Sequence, residues 1–234
     1  MKSTAKYQFI ILAVVLLLTQ YRCTTCSTSK SFSDSEKTLT EDTSRVMMDA
    51  DLSEKLQQHC SLWLHSWERE LTTDSFALVS SYVSSQSTDW EKFDISEKHF
   101  SDYRDKIYHS PNGSYALDVY SYNLILNKKG AKTYAELDAD IQIYVIDIAH
   151  HQRLPILFLG PSASIDDGYW LSDSTVVLVG WERCLDCPKE AYRPVVRKVN
   201  VFTGETDEYH HTAAFPHYNK DYLKQKFPEI IFDF

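Results

Sequence analysis

Cysteines are the residues of this chain with the widest choice of chemistry, and two of them, Cys184 and Cys187, form a CxxC pair. Such a pair can close a disulfide, exchange electrons or help to hold a metal ion. Redox CxxC motifs normally open a helix, which lowers the thiol pKa, whereas Pro188 and strand-like neighbours predict a hairpin loop here. We therefore expect a local disulfide. A zinc site completed by His210 or His211, a redox pair and unpaired thiols are the alternatives.

Histidines and acids are the other candidate ligands, and none of them falls in a known metal-binding pattern. Histidine occurs in two adjacent pairs, at 150–151 and 210–211. Neighbours on a strand point to opposite faces, so a pair could share an ion only in a turn, and we expect exposed turn histidines. Four aspartates could offer oxygens to Ca²⁺ but lack EF-hand spacing, so solvated turn acids are expected. These aspartates are Asp138, Asp140, Asp166 and Asp167.

The chain carries none of the compact sequence signatures of an enzyme site. It has no phosphate loop, no dinucleotide fingerprint and no HExxH zinc helix. Gly160-Pro161-Ser162 lacks the Gly-x-Ser-x-Gly elbow of the α/β-hydrolases. With 33 acidic residues, the sequence alone does not select the two carboxylates that a glycosidase needs. We therefore assign no catalytic residue, no metal ligand and no cofactor.

Residues 1–25 predict a cleaved export signal. Lys2 and Lys6 precede an unbroken apolar run of ten residues, FIILAVVLLL, from Phe9 to Leu18. A membrane-spanning helix needs about 20 apolar residues, whereas ten is the length of a signal-peptide core. The alternative is a buried N-terminal helix of a cytosolic protein, which would join a fully apolar helix to a polar tail with nothing to pack on.

Two further cysteines follow the apolar run, in a segment that resembles a bacterial lipoprotein signal. In such signals a cysteine after the run is acylated and becomes the mature N-terminus. Cys26, which follows Thr24-Thr25 and precedes Ser27, fits this pattern better than Cys23, which follows Gln20-Tyr21-Arg22. The resemblance implies a lipid on Cys26, or else on Cys23. Secretion with cleavage nearby, and a metal or redox pair of the two cysteines, are the alternatives.

Residues 26–46 predict a flexible tether, and residues 47–234 predict one folded domain. Most of the tether reads STSKSFSDSEKTLTEDTSR, which is rich in Ser, Thr and charges. The whole chain has a net charge of −9. Removal of Lys2, Lys6 and Arg22 with the signal lowers that charge by three, to −12. An acidic chain repels phosphate backbones, so we expect no nucleic-acid partner.

Apolar periodicity predicts a helix over residues 51–71. Asp51 and Glu54 have the spacing of a capping box, and six apolar residues recur at intervals of three or four. These are Leu52, Leu56, Cys60, Trp63, Trp67 and Leu71. Such a stripe packs against a sheet, so the tryptophans are expected in the core and Cys60 is expected to be a buried small apolar residue.

The rest of the chain is predicted to form strands separated by turns. Runs of apolar, β-branched and aromatic residues predict strands over 75–83, 115–122, 141–148, 154–159, 175–181, 195–201 and 205–209. Turns are predicted at 111–113, 127–130, 166–168 and 202–204. A short helix is predicted over 217–227.

Two pairs of segments share a pattern that resembles blades of TolB-like and WD-type β-propellers. SPNGSYALDV (110–119) is similar to LSDSTVVLVG (171–180), and IYVIDI (143–148) is similar to RKVNVF (197–202). A propeller needs about four or more blades, so two units do not close a ring. We predict a mainly β (α+β) fold: an open or sandwiched antiparallel sheet of propeller-like hairpins, with an N-terminal amphipathic helix and a short C-terminal helix. A small α+β domain with one twisted sheet is the alternative.

The layout of signal, cysteine, polar tether and β-rich domain resembles that of uncharacterised bacterial envelope lipoproteins. The resemblance implies an exported protein of the periplasm or outer membrane, held to a membrane by its N-terminal lipid. We expect a non-enzymatic binding or accessory module for an envelope protein or a small ligand. The alternatives are an exported hydrolase, with or without a metal ion, that uses His210, His211 and nearby acids, and a thiol-redox protein that uses Cys184 and Cys187.

Overall fold

The computed structural model describes residues 46–84, 89–97 and 100–232. Over these residues the chain is mainly β, with antiparallel sheets, two α-helices and no closed barrel, which confirms the predicted fold class. The predicted signal, Cys23, Cys26 and nearly all of the predicted tether lie outside the described residues. The helices are α1 (Ala50–His65) and α2 (Tyr222–Lys226). The strands are β1 (Phe76–Val83), β2 (Glu91–Lys92), β3 (Tyr108–His109), β4 (Tyr115–Asp118), β5 (Leu124–Lys129), β6 (Lys132–Leu137), β7 (Ile141–Asp147), β8 (Gln152–Leu159), β9 (Ala163–Ser172), β10 (Thr175–Arg183), β11 (Tyr192–Asn200), β12 (Glu205–His211) and β13 (Ile230–Phe232).

These strands form three sheets. Sheet A has the order β1-β12-β11-β10-β9, and sheet B has the order β2-β8-β7-β4-β3. Neighbouring strands in both sheets run antiparallel. Sheet C has the order β13-β6-β5, and β13 runs parallel to β6. Because β9 to β12 are neighbours both along the chain and in sheet A, they form a four-stranded meander.

Sheet A lies between two hydrophobic cores because its strands are apolar on both faces. On β10, Val176 and Leu178 belong to a core shared with Ile143 and Val145 of sheet B. The alternate residue Val177 belongs to the second core, which helix α1 covers. The layers are therefore helix α1, sheet A and sheet B, in the arrangement expected for strands that are buried on both faces.

Helix α1 begins and ends where polar side chains bond to the backbone. The Asp49 carboxylate accepts a 2.8 Å hydrogen bond from a backbone N–H of the first turn and caps the helix. At the other end, the backbone N–H and the hydroxyl of Ser66 both donate to Trp63 O. The helix therefore ends earlier than Leu71, the predicted end. Trp67 and Leu71 are still buried, because the chain after the helix stays in the same core.

Helix α2 is shorter than the predicted helix over 217–227. Turn bonds precede it, with Tyr222 N donating to Asn219 O, and Phe227 leaves the helical conformation at φ −124° and ψ 69°. Despite its length, α2 brings Tyr222 and Lys226 into the interior. Among the described residues, no helix has both the length and the apolar character that a membrane span requires.

Gly180 marks a close approach between β9 and β10. The pairing of the two strands shifts register between Val179 and Gly180. A Cβ atom at Gly180 would lie 1.9 Å from the backbone oxygen of Ser164. Backbone atoms in the middle of a sheet have little freedom to move aside, so this position requires glycine.

We expect Gly180→Ala to lower the free energy of unfolding by about 1–3 kcal/mol or more, because a methyl group is forced between two paired strands. Urea unfolding of the purified protein measures this change. Gly160→Ala is the matched control, since nothing lies within 4 Å of a Cβ atom there, and its expected change is below about 1 kcal/mol. An equal loss of unfolding free energy in Gly180→Ala and Gly160→Ala would contradict a close contact between β9 and β10 at Gly180.

Candidate functional site

Two adjacent aspartates of β9, Asp166 and Asp167, lie in the interior rather than in a turn. They are 6% and 4% exposed, so the predictions of a turn at 166–168 and of solvated acids there are wrong. The register shift between β9 and β10 leaves Asp166 without an opposite residue, as the extra residue of a β-bulge. Hydrogen-bond donors from distant segments compensate the two carboxylates for the loss of contact with water. Asp138 and Asp140, by contrast, lie between β6 and β7, the first exposed and the second half-buried.

Asp167 collects four side-chain donors. Its Oδ1 atom accepts hydrogen bonds from the hydroxyls of Tyr108 at 2.6 Å and Tyr120 at 3.1 Å. Its Oδ2 atom accepts from the hydroxyl of Tyr222 and from the ammonium of Lys226. These four donors, with Asp167, form what we call the Asp167 network. One carboxylate thereby ties β3, the turn after β4 and helix α2 to sheet A.

Electrostatics keep the three tyrosines of the Asp167 network protonated. Burial, with the charge of Asp167 added to it, raises the pKa of Tyr108, Tyr120 and Tyr222 far above the usual tyrosine value. Lys226 Nζ lies 5.3–6.0 Å from the centroids of four aromatic rings, which face its charge. The phenols therefore stay protonated as hydrogen-bond donors, and the network clamps β3, the turn after β4 and helix α2 to sheet A.

Asp166 bonds to a residue of the second core, the core that helix α1 covers. Its Oδ2 atom accepts a 2.9 Å hydrogen bond from Trp63 Nε1, which anchors helix α1 to sheet A. Burial raises the pKa of Asp166 to about 7, against the opposing effect of this hydrogen bond. A perturbed carboxyl in a cleft would be a functional-site candidate, but this one is enclosed between the helix and the sheet. Its consequence is a pH-dependent stability.

A ring of acidic and basic side chains lies across β10, β11 and β12, and we call it the charge ring. Arg197 Nε donates to Glu208 Oε2 at 2.7 Å, and Arg197 Nη2 lies 3.8 Å from Glu182 Oε2. His210 lies between the other two oxygens, with Nδ1 3.3 Å from Glu182 Oε1 and Nε2 2.9 Å from Glu208 Oε1. Each glutamate thus contacts Arg197 with one oxygen and His210 with the other.

The two glutamates of the charge ring have pKa shifts in opposite directions. Burial alone would raise the pKa of Glu208, but the hydrogen bond from His210 and the charge of Arg197 outweigh it and lower that pKa. For Glu182, burial raises the pKa. The charge of Glu208 adds to the effect of burial on Glu182, whereas Glu208 has hydrogen bonds from both His210 and Arg197.

The histidines that the hydrolase hypothesis needs together are separated. His210 and His211 are adjacent on β12, and the expectation of exposed turn residues is wrong for both. His211 packs among aromatic rings on the face opposite to the charge ring, where burial lowers its pKa. His150 and His151 do lie in a turn, after β7, each beside an aspartate. The structure therefore brings His210, but not His211, to nearby acids.

Cys184 and Cys187 lie in the loop between β10 and β11, with their sulfur atoms at disulfide distance, 1.98 Å. This placement agrees with the predicted hairpin disulfide. Arg193 lies 3.1 Å from Cys184 Sγ and 3.2 Å from the Asp186 carboxylate, which braces the loop. Cys60 is a buried thiol on α1, as expected.

Strand β1 is the outermost described strand of sheet A, and a single bridge from the N-terminal segment covers only its first residues. Residues 79–83 have no described strand on their outer side. Ser84 N donates to Gly204 O, on the β12 side. Because backbone groups alternate along a strand, the N–H and C=O groups of Ser81 and Val83 point outward.

A cleft of about 100 Å³ lies where β1 ends. Ser84 forms part of it, together with β8 and the turn between β11 and β12. Its apolar lining comes from Trp90, Leu154, Ile156, Val199, Val201 and Phe202. Phe202 is 48% exposed at the rim, with its ring 5.3 Å from that of Tyr115. The cleft is therefore an opening into the core between sheets A and B.

Comparisons with known proteins assign this chain to no family. No family model, curated protein or solved structure matches the chain. The resemblances to propeller blades and to envelope lipoproteins therefore stay predictions, and function is argued from the described residues.

The sequence held usable signals for the charge ring, although the ring was not predicted. Glu208 and His210 are two residues apart in a strand-like segment, so their side chains share a face. Arg197 alternates with Val195 and Val199 along its strand, so the sequence puts a charge on a face that is otherwise apolar there. The pairing of β10, β11 and β12, which brings Glu182 to the same place, follows from the register of the sheet and not from spacing along the chain.

Proposed function

We propose that this chain is an exported, lipid-anchored envelope protein that acts as a non-enzymatic binding module. Its ligand is an extended segment of an envelope protein, which adds as a strand to the outer edge of β1. The observation that carries the proposal is the pair of outward-pointing backbones of Ser81 and Val83 beside an apolar cleft. In strand addition, backbone hydrogen bonds give affinity and side-chain pockets give specificity.

The exposed half of β1 follows a β-bulge between Leu78 and Ser80 but has neither a charged residue nor a proline. Edge strands generally carry a charge or a proline that discourages further pairing. Strand β1 reads FALVSSYV and has neither. Val79, Tyr82 and Val83 are 52%, 40% and 66% exposed. Uncharged and partly apolar, this edge favours an added strand over solvent.

The cleft gives the added strand a preferred side chain. An engineered apolar cavity of roughly 150 Å³ accepts benzene, so a cleft of about 100 Å³ matches one branched aliphatic side chain. Ser84 joins the cleft directly to the end of β1. A strand paired with Ser81 and Val83 therefore reaches the cleft with a Leu, Ile or Val one or two residues further along.

The predicted export signal over residues 1–25 and the predicted acylation of Cys26, or else of Cys23, support a location in the cell envelope. Intact mass of the mature protein, measured with and without reductant, tests that part. We expect an N-terminus at Cys26 that carries a lipid, and a gain of one pair of hydrogens when the Cys184–Cys187 bond is reduced. Recovery of the native protein from the cytosol with Met1 attached would contradict export.

Site-specific photocrosslinking in intact cells tests the binding surface. A photoreactive residue at Val83 or at Phe202 should capture the same envelope protein, through the same uncharged segment with an aliphatic residue. Leu137, which is 41% exposed on sheet C, is the matched control position and should not capture it. A capture pattern that is the same at all three positions, or no protein product at Val83, would refute the proposal.

A further inference from the structure

We propose that the charge ring binds a divalent transition-metal ion such as Zn²⁺ through Glu182, Glu208 and His210. One carboxylate oxygen of each glutamate and one ring nitrogen of His210 lie within 4.8 Å of one another. Zinc bonds of about 2.0–2.2 Å put tetrahedral ligands about 3.4 Å apart. The two glutamates contact different ring nitrogens of His210, at 3.3 and 2.9 Å. One glutamate therefore has to move toward the other nitrogen, a closing of up to about 1.4 Å from the 4.8 Å limit. The three side chains are 15–25% exposed, which leaves them room for that movement.

Arg197 holds the glutamates in the arrangement that a metal ion needs. Its guanidinium contacts Oε2 of Glu208 at 2.7 Å and lies 3.8 Å from Oε2 of Glu182. The Oε1 atoms consequently lie beside the two ring nitrogens of His210, that of Glu182 at Nδ1 and that of Glu208 at Nε2. Outer hydrogen bonds of this kind orient ligating carboxylates in metal sites. Arg197 itself is 3% exposed, so it is a positioning residue fixed beneath the proposed ligands.

The donor set and the charges select the class of metal. One imidazole nitrogen with two carboxylates suits Zn²⁺ or Mn²⁺, whereas Ca²⁺ and Mg²⁺ prefer oxygen ligands alone. Two glutamates and one arginine leave a net charge of −1, so a divalent ion on neutral His210 brings the ring to +1. One anionic ligand on the metal then makes the ring neutral, in keeping with its partial burial.

Titration calorimetry of the mature full-length protein with ZnCl₂, with the Cys184–Cys187 bond intact, tests this site. We expect one zinc ion per chain and no response to CaCl₂. His210→Ala should weaken zinc binding at least 100-fold, and Glu208→Gln at least 10-fold. His150→Ala is the matched control, because His150 is 73% exposed and lies beside Asp147; its zinc affinity should not change.

Absence of stoichiometric zinc binding, or equal zinc affinity in the wild type and His210→Ala, overturns the proposal. Circular dichroism first establishes that each variant is folded. If His210→Ala is not folded, Glu182→Gln takes its place with the same expected loss. The visible spectrum of the Co²⁺-substituted protein is a second readout: an intense tetrahedral absorption is expected in the wild type and should be lost in the variant.

Discussion

Asp167→Asn should lower the free energy of unfolding by about 3–5 kcal/mol, a large share of the stability of an ordinary domain. Asp167 accepts hydrogen bonds from three tyrosine hydroxyls and from Lys226. An amide at this position leaves the Lys226 charge without its counter-ion, with only 19% of that side chain exposed. Guanidinium unfolding at neutral pH, followed by tryptophan fluorescence, measures the loss.

A double-mutant cycle separates the charge pair from the rest of the Asp167 network. Lys226→Met removes the stranded charge, so Asp167→Asn with Lys226→Met should be less destabilised than the sum of the two single variants. Asp138→Asn is the matched control in an exposed turn, with an expected change within about 0.5 kcal/mol. If Asp167→Asn lowers the free energy of unfolding no more than Asp138→Asn does, Asp167 does not clamp its partner segments to sheet A.

Asp166→Asn should remove a component of the pH dependence of stability. The pKa of Asp166 in the folded state is about 7, above the value of about 3.9 in an unfolded chain. Between these values the folded state binds more protons than the unfolded state. Stability therefore falls as pH rises from about 4 to 7, by up to about 1.4 kcal/mol per pH unit from this residue. Asparagine carries no proton to lose and keeps an acceptor oxygen for Trp63.

The measurement is the difference in unfolding free energy between Asp166→Asn and the wild type, taken at intervals from pH 4 to pH 8. We expect the variant to gain roughly 4 kcal/mol relative to the wild type over that range. The charge ring, which also titrates, is present in both proteins and cancels in the difference. A difference that does not change with pH would show that Asp166 is already ionised in the folded protein at pH 4.

Strand alternation and helical periodicity predicted helix α1 and seven of the thirteen described strands. They missed β9, where a turn was predicted at 166–168, and all three strands of sheet C. Runs of apolar and β-branched residues predicted the positions of β7 and β10, and each face of these strands meets its own core. The end of α1 was predicted too late, since Trp67 and Leu71 continue the apolar stripe after Ser66 has ended the helix. Periodicity reports which residues are buried, and it does not report where the backbone leaves the helix.

The polar clusters were less predictable, because their energetics depend on distant partners. Asp-Asp-Gly at 166–168 is a typical turn composition. Burial of both carboxylates becomes favourable through distant partners such as Trp63, Tyr222 and Lys226. The edge of β1 was predictable in part. Its lack of charged residues is visible in the sequence, but its position at the outside of sheet A follows only from the strand order.

The most direct test of the binding surface changes a single outward-pointing amide. Ser81→Pro removes the N–H group that an added strand would use, while the β12 side of β1 keeps its hydrogen bonds. Ser81→Ala is the matched control, since it loses the same hydroxyl and keeps the N–H. With the photoreactive residue at Val83, we predict that Ser81→Pro reduces partner crosslinking at least tenfold and that Ser81→Ala leaves it unchanged. Equal crosslinking in the two variants would contradict strand addition at β1.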